Sequence, residues 1–410
     1  MKRSAKTAVL MLICAAMTAA AGSCALSQTY PVTIDGEALR AGVYIYRQTD
    51  SVADAVSKLN EEQPDLDTSA DGFSYLNQTV EGVKFEDYVN NKTLDRCREY
   101  VAVERLFDSK GLTLTAEELS DIDAQVKQVW TVPDQYYAMY GMTRIWGEYY
   151  GNLGVGQESF RDIEIEEKKK DKLFDFLYGD EGEFKATEDE INEALKTDYS
   201  MVNYIEYTLE NGDGAQSYAD KITAGSTFEQ VYQELKQAEN NEKFEKEKAE
   251  AEAAAAEEAE NAENAENSED TEETEYNEDT ENTEDESTEE APTEPEQAEL
   301  PETDSLIEVL KKDATSPSED FVVQVMDMAA GDVKVITTED GTSYIVQKLD
   351  ILSKPEKTES EVETLKKELR EDDFEELLKT TGAAYSVVED GSKGLYTVKG
   401  LMDRQQSFNS

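Results

Sequence analysis

Apolar positions recur at helical spacing over much of the first two hundred residues. Thr115 and Glu118 predict a capping box, because a threonine side chain and a glutamate three places on can satisfy two orphan amides reciprocally. Thr187 and Glu190 repeat the signal, and residues 31–37 predict a short strand and turn. Four longer segments have the three- and four-residue spacing of amphipathic helices: residues 40–59, 83–110, 115–130 and 157–177.

The apolar period changes from helical spacing to strand spacing at residue 201. Residues 201–209, 333–337 and 343–351 predict strands, and a Glu-Asp-Gly turn ending at Gly341 joins the last two. Residues 384–388 could add an edge strand. Further helices are predicted at residues 215–223, from 227 into the next segment, and at 305–312, 319–328 and 360–380. The pattern as a whole predicts an α+β fold.

Residues 239–299 are a low-complexity run of Glu, Ala, Asn and Thr, with 27 acidic residues against 3 lysines. Such a segment has too little apolar surface to offset the entropy of ordering its chain. We therefore expect an acidic disordered insert at residues 237–300, whose first part could extend the preceding helix through Ala256. A calcium site is disfavoured, because no loop combines alternating Asp or Asn ligands with a central Gly and a terminal Glu.

The first 24 residues have the layout of an export signal. A cationic start at Lys2, Arg3 and Lys6 precedes an apolar run over residues 8–21, which is too short for a stable membrane span. Small residues directly before Cys24 resemble the lipobox of bacterial lipoproteins. This resemblance implies a signal peptide at residues 1–23, a lipidated Cys24 followed by a tether to residue 30, and a location on the outer face of the cell membrane. Cleavage after Ala21 without lipidation is the alternative.

Charge and composition exclude several classes of function. The 410 residues include 94 acidic and 39 basic side chains, for a formal net charge of −55. So negative a protein repels nucleic acid and anionic lipid headgroups. The chain has no histidine, which removes the usual near-neutral base, the usual zinc ligand and every imidazole triad. We expect no metal and no cofactor, and Cys97 is expected to be a small buried apolar residue.

Three groups of short motifs occur in the order found in the PrsA/SurA-type foldases. They are residues 157–162 with 172–179 and 187–191, residues 321–333 (Phe-Val-Val-Gln-Val-Met-Asp-Met-Ala-Ala-Gly-Asp-Val), and residues 341–349 (Gly-Thr-Ser-Tyr-Ile-Val-Gln-Lys-Leu). These foldases are extracytoplasmic chaperones that carry a parvulin-type peptidyl-prolyl isomerase module, and their clients are unfolded exported polypeptides.

The resemblance also implies how the chain is divided. A mostly helical SurA/trigger-factor-like chaperone domain would occupy residues 31–198, completed by residues 355–398. A small parvulin-like α/β module would occupy residues 199–236 and 301–353.

This part of the chain resembles a parvulin isomerase module without its active site. Parvulins place one histidine on the first strand and one on the last, and here Tyr204 and Ile345 fall at those positions. Isoleucine has neither donor nor acceptor, so the polar floor beneath the prolyl ring cannot form from this pair. Phe321 could keep one apolar wall. The resemblance therefore implies a chaperone with no catalytic residue. A residual isomerase and a surface lipoprotein with one fixed partner are the alternatives.

A dense group of aromatic residues is the candidate client-binding region. Seven large aromatics lie close to Met139 and Met142, and methionine adapts to irregular partners. The same spacing would suit the core of a helical hairpin, so both interpretations stay open. The seven are Trp130, Tyr136, Tyr137, Tyr140, Trp146, Tyr149 and Tyr150.

Overall fold

The computed structural model describes residues 29–70, 72–140, 143–210, 214–266, 295 and 297–409. Helices predominate. In chain order they are α1 (Ala41–Glu62), α2 (Phe85–Ser109), α3 (Ala116–Thr131), α4 (Gln135–Met139), α5 (Trp146–Leu153), α6 (Gln157–Tyr178), α7 (Glu188–Asp198), α8 (Ala215–Thr223), α9 (Phe228–Glu266), α10 (Glu319–Met326), α11 (Glu359–Ala383) and α12 (Val398–Asn409).

The strands are β1 (Val32–Ile34), β2 (Glu37–Leu39), β3 (Thr79–Val80), β4 (Val83–Lys84), β5 (Tyr199–Tyr207), β6 (Ile307–Lys311), β7 (Val333–Thr337), β8 (Ser343–Leu349) and β9 (Val387–Glu389). They form small antiparallel sheets, with orders β2-β1-β9, β3-β4 and β6-β5-β8-β7. This combination of helices and antiparallel sheets confirms the predicted α+β class.

The chain divides into two compact units. The helical unit consists of the described residues up to Ala186 together with those from Lys367 onward, and the sheet unit is Thr187–Lys366. The sheet unit is thus an insertion in the sequence of the helical unit.

The helical unit is built around α1, whose apolar residues face α2 and α6. Gly42 permits the close approach of α6, because a Cβ at this position would lie 2.4 Å from the Cβ of Ser159. Both predicted capping boxes are present, at Thr115 with Glu118 and at Thr187 with Glu190.

A small sheet joins the two sequence segments of the helical unit. Val32 on β1 pairs with Glu389 on β9. The amide of Gln48 then donates to the carbonyl of Tyr396, at 3.1 Å. Directly after this contact comes α12, with Val398 and Leu401 fully buried. The sequence analysis did not predict this helix.

The sheet unit has a different core on each face of its four-stranded sheet. Ile205 and Ile345 lie on the face covered by α8 and α9, whereas Val202 and Tyr204 lie on the face covered by α10. The faces alternate along β5 as the two-residue period of a strand requires.

Two segments differ from their predicted structure. Residues 305–312 were expected to be helical, but Ile307–Lys311 forms β6, because it pairs with the free side of β5 from Tyr199 to Asn203. Helix α9 continues to Glu266, so the part of the expected disordered insert before residue 267 is helical. The rest of that insert, apart from residues 295 and 297–300, lies outside the described residues, as do the predicted signal peptide and Cys24.

Within the described ranges, no helix combines the length and apolar composition that a membrane crossing requires. The same ranges hold no group of three His, Cys, Asp or Glu residues with a geometry suited to a metal ion. The thiol of Cys97 is buried, as expected, and burial raises its pKa.

Candidate functional site

The aromatic segment between α3 and α6 divides into core and surface. Trp130 stacks on Tyr150 with ring centroids 6.2 Å apart, and its ring lies 5.1 Å from that of Phe160. Gly147 makes this packing possible, since a Cβ there would lie 2.7 Å from Cγ of Trp130. Trp130 and Tyr150 are half-buried and pack against the core, which fits one of the two interpretations of the sequence pattern.

Three apolar residues of the same segment face solvent, and we call them the aromatic crest: Tyr136, Met139 and Tyr140. They are 59%, 76% and 65% exposed. The rings of Tyr136 and Tyr140 contact each other, with centroids 5.3 Å apart. Such exposed apolar side chains in one short stretch are characteristic of interaction surfaces.

Asp134 holds the crest in place. One carboxylate oxygen accepts hydrogen bonds from the backbone amides of Tyr136 and Tyr137, at 2.8 and 3.4 Å, and so begins α4. The other accepts from the indole N–H of Trp146 at 2.6 Å. These bonds, the one from Trp146 first, hold the pKa of Asp134 below its usual range. The crest is thus fixed to α5 at neutral pH.

Arg144 lies among four aromatic rings, which we call the arginine cage. The guanidinium carbon is 4.7 to 6.0 Å from the ring centroids, within the range of cation–π attraction. One guanidinium nitrogen also donates to the hydroxyl of Tyr137, at 2.9 Å. The four rings are those of Tyr137, Trp146, Tyr149 and Phe408.

A groove of about 460 Å³ lies beside the crest and shares Trp146 with the cage. Its apolar lining comes from Val129, Val132, Pro133 and Phe160, in addition to Trp146. Gln125, Gln128 and Gln135 provide amides at the same surface. An apolar lining with amide donors and acceptors can accommodate side chains while bonding to peptide groups.

The sheet unit brings two of the three positions implied by the parvulin resemblance together. Phe321 on α10 contacts Tyr204 on β5, with ring centroids 5.1 Å apart. Ile345, the residue predicted for the second position, does not lie with them, because it pairs with Ile205 and faces α8 and α9. Its neighbour Tyr344 contacts Phe321 at 4.9 Å and Tyr204 at 6.0 Å instead.

The packing of these three rings prevents Phe321 from serving as the expected apolar wall of a proline site. Phe321 is fully buried between Tyr204 and Tyr344, so it has no face to offer a prolyl ring. The hydroxyl of Tyr204 donates to Glu308 at 3.0 Å. Burial, followed by the charge of Glu308, raises the pKa of Tyr204 to about 12. Tyr204 is therefore protonated at neutral pH and cannot act as a base.

The sequence analysis did not identify Tyr344, Glu308, Arg144 or Phe408. The strand pattern does carry a signal for Tyr344. Adjacent strand residues face opposite sides of the sheet, so the residue one place before Ile345 lies on the other face. Glu308 and Phe408 depend on contacts between distant segments, and Arg144 and Phe408 are 264 positions apart in the sequence. Arg144 also contacts Tyr137 and Trp146, which are close to it in the sequence.

Comparison with known proteins finds no matching family model and no matching curated protein. Two solved structures, both of PrsA, are similar to this chain. PrsA from Bacillus subtilis is 15% identical, with a TM-score of 0.25, and the match covers 78% of this chain and 94% of that one. The foldase protein PrsA from Streptococcus pneumoniae str. Canada MDR_19A is 16% identical, with a TM-score of 0.24, and the match covers 83% of this chain and 94% of that one. This is the family that the sequence motifs resemble.

Proposed function

We propose that this protein is an extracytoplasmic chaperone of the foldase type, which holds unfolded segments of exported proteins on its helical unit without catalysing prolyl isomerisation. The observation that carries the proposal is the aromatic crest beside an apolar groove. In the same segment, the rings of Trp130 and Tyr150 pack against the core. The three side chains of the crest stay exposed instead: Tyr136, Met139 and Tyr140.

The chemistry of this surface suits unfolded polypeptides. Tyrosine rings bury a large area while the hydroxyl stays in water, and methionine adapts to varied shapes. The groove supplies an apolar lining and amides for an extended backbone. The net charge of −55 favours solubility of the chaperone and its complexes, because like-charged particles repel each other.

The proposal that the protein does not catalyse prolyl isomerisation is based on the structure of the sheet unit. Lowering the barrier of about 18–20 kcal/mol for an X-Pro bond requires a shaped site around the twisted amide. Here Phe321 is buried, Tyr204 holds its proton, and the chain has no histidine. We therefore infer that the sheet unit is isomerase-like in its order of elements but inactive.

Two assays on the same purified protein test the function. Several unrelated denatured clients should aggregate more slowly in its presence, while a proline-containing peptide should isomerise at its spontaneous rate. Protection of a single partner only would favour the fixed-partner surface protein. Acceleration of isomerisation would favour an active isomerase.

The location is proposed from the sequence alone. We infer that Cys24 is acylated and anchors the protein to the outer face of the cell membrane, because small residues directly before it follow an apolar export signal. Each buried methylene of a lipid chain contributes about 0.8 kcal/mol to anchoring. Mass spectrometry of the N-terminal peptide should show the lipid, and Cys24→Ala should release the protein into the medium. Unmodified, wholly soluble wild-type protein would contradict the anchor.

A further inference from the structure

The arginine cage already holds one aromatic side chain from a distant part of the sequence. Phe408 lies on the last turn of α12, and its ring centroid is 5.2 Å from the guanidinium carbon of Arg144. It is 5.3 Å from the ring of Tyr149, with planes inclined by 64°. Guanidinium-over-ring and edge-to-face contacts are the two geometries that attract an aromatic ring specifically.

Hydrogen bonds connect the end of α12 to α5. Gln405 donates to the hydroxyl of Tyr149 at 3.4 Å, which is near the upper limit for a hydrogen bond. The side-chain amide of Asn152 donates to the carbonyl of Arg404, the residue before Gln405, at 2.9 Å. The apolar residues Val398 and Leu401 secure the start of the helix, which is buried. The side chains of the last turn, from Gln405 to Phe408, are exposed or half-buried, so this end can fray while the start of the helix remains packed.

The cage is continuous with the proposed client surface. Trp146 contributes to both the groove and the cage, and Tyr137 of the cage contacts Tyr136 of the crest, with ring centroids 5.6 Å apart. A client segment lying on the crest and groove would bring its own side chains to the position that Phe408 occupies.

We propose that the arginine cage is a subsite for aromatic side chains of client segments, and that Phe408 occupies it as an internal competitor. This inference rests on the proposed chaperone function and specifies which clients bind best. Segments that bear phenylalanine or tyrosine displace Phe408. Segments whose apolar residues are only aliphatic bind at the crest and groove without using the cage.

The test compares Phe408→Ala and Phe408→Leu with the wild type in the full-length protein. The probes are two fluorescent glycine- and serine-rich peptides, one bearing phenylalanines and one bearing leucines at the same positions, with binding followed by fluorescence anisotropy. Both variants should bind the phenylalanine peptide about three- to tenfold more tightly, the fold-change of one aromatic or cation–π contact. Affinity for the leucine peptide should stay the same.

Two further variants complete the design. Arg144→Gln combined with Phe408→Leu should abolish the preference for phenylalanine. Phe176→Ala, which removes an exposed phenylalanine elsewhere on the helical unit, is the matched control and should change neither affinity. Thermal melting followed by circular dichroism shows whether each variant folds, and Phe408→Leu keeps the test valid if the alanine variant does not.

The results separate this inference from the proposed function. Unchanged binding in the Phe408 variants, or equal tightening for both peptides, would overturn the subsite while the wild type still suppressed client aggregation. Failure of the wild type to bind either peptide and to suppress aggregation would overturn the chaperone function itself.

Discussion

Burial makes the pKa of Glu166 the most strongly perturbed among the carboxyl groups described in the helical unit. Arg47 on α1 and Glu166 on α6 approach to 2.5 Å inside the core, where both side chains are almost entirely buried. Arg47 also faces Glu167 and Asp50, so one cation serves three carboxyl groups. Burial raises the pKa of Glu166 to about 8, although the charge of Arg47 acts in the opposite direction.

The raised pKa of Glu166 predicts that stability falls as the pH rises. The folded state holds the proton of Glu166 up to about pH 8, whereas the unfolded state loses it near 4.5. This contribution is complete below pH 4.5 and is lost by the time the pH has passed 8. The free energy of unfolding of the wild type should therefore fall between pH 5 and 8. In Glu166→Gln it should fall less steeply, by up to about 1 kcal/mol per pH unit.

Urea denaturation of both proteins across this pH range provides the measurement. Glu158→Gln changes an exposed glutamate on the same helix and should keep the wild-type slope. Equal slopes for the wild type and Glu166→Gln would show that Glu166 does not carry the effect.

For individual residues, the sequence predicts which side chains are important more readily than which side chains they contact. It identified Tyr204 and Phe321, which do contact each other. It chose Ile345 rather than Tyr344, because adjacent strand residues share a motif but face opposite sides. It could not place Arg144, since nothing near position 144 indicates the ring of Phe408.

Helix ends are the elements that local sequence predicts best. The capping box at Thr115 is present, with the Glu118 amide donating to the threonine hydroxyl at 3.1 Å. Glu118 also contacts Lys172 on α6, at 2.9 Å. The backbone and lysine bonds lower the pKa of Glu118 to about 2.

Removing this cap should destabilise the helical unit. Thr115→Ala is expected to cost about 1 kcal/mol, because an N-terminal amide of α3 loses its acceptor. A melting temperature lower by a few degrees would show it. Thr131→Ala, at an exposed position near the other end of the same helix, should have a smaller effect. A Thr115 variant as stable as the wild type would mean that other contacts begin the helix.

The acidic extension of α9 should be dispensable for folding. Its side chains from Glu245 to Ala256 are all exposed, and its contacts with the returning chain lie earlier, where Gln237 and Gln233 bond the backbone of Ala298 at 2.7 and 2.8 Å. Deleting residues 250–294 keeps these bonds and should leave the melting temperature nearly unchanged.

Calorimetry of the deletion protein checks this expectation. A loss of several degrees would show that the deleted residues pack against something. Deleting residues 250–300 instead removes Ala298 as well, and should lower the melting temperature more than the shorter deletion.

Tertiary pairing explains the elements that the sequence did not predict. Residues 307–311 have no strong strand signal of their own, and they become β6 because β5 offers an unpaired edge. Helix α12 has few apolar residues, and packing of Val398 and Leu401 into the core stabilises it.

In the whole molecule, the proposed client surface belongs to the helical unit, and the buried Phe321 belongs to the sheet unit. The order of segments, in which the sheet unit interrupts the helical unit, could be anticipated from the resemblance. The division of the aromatic segment into core and crest could not, because both have helical spacing and only packing of Trp130 and Tyr150 against Phe160 separates them.

The central claim is that the aromatic crest binds unfolded clients. The most direct test compares aggregation of a denatured client in the presence of the wild type, of a crest variant with serine at 136, 139 and 140, and of a control. The control carries serine at three similarly exposed apolar positions of the same unit: Phe176, Val388 and Leu395. The crest variant is expected to need at least about fivefold more protein for equal protection, a loss of about 1 kcal/mol of binding, while the control matches the wild type. Full protection by the crest variant, or an equal loss in the control, would contradict it.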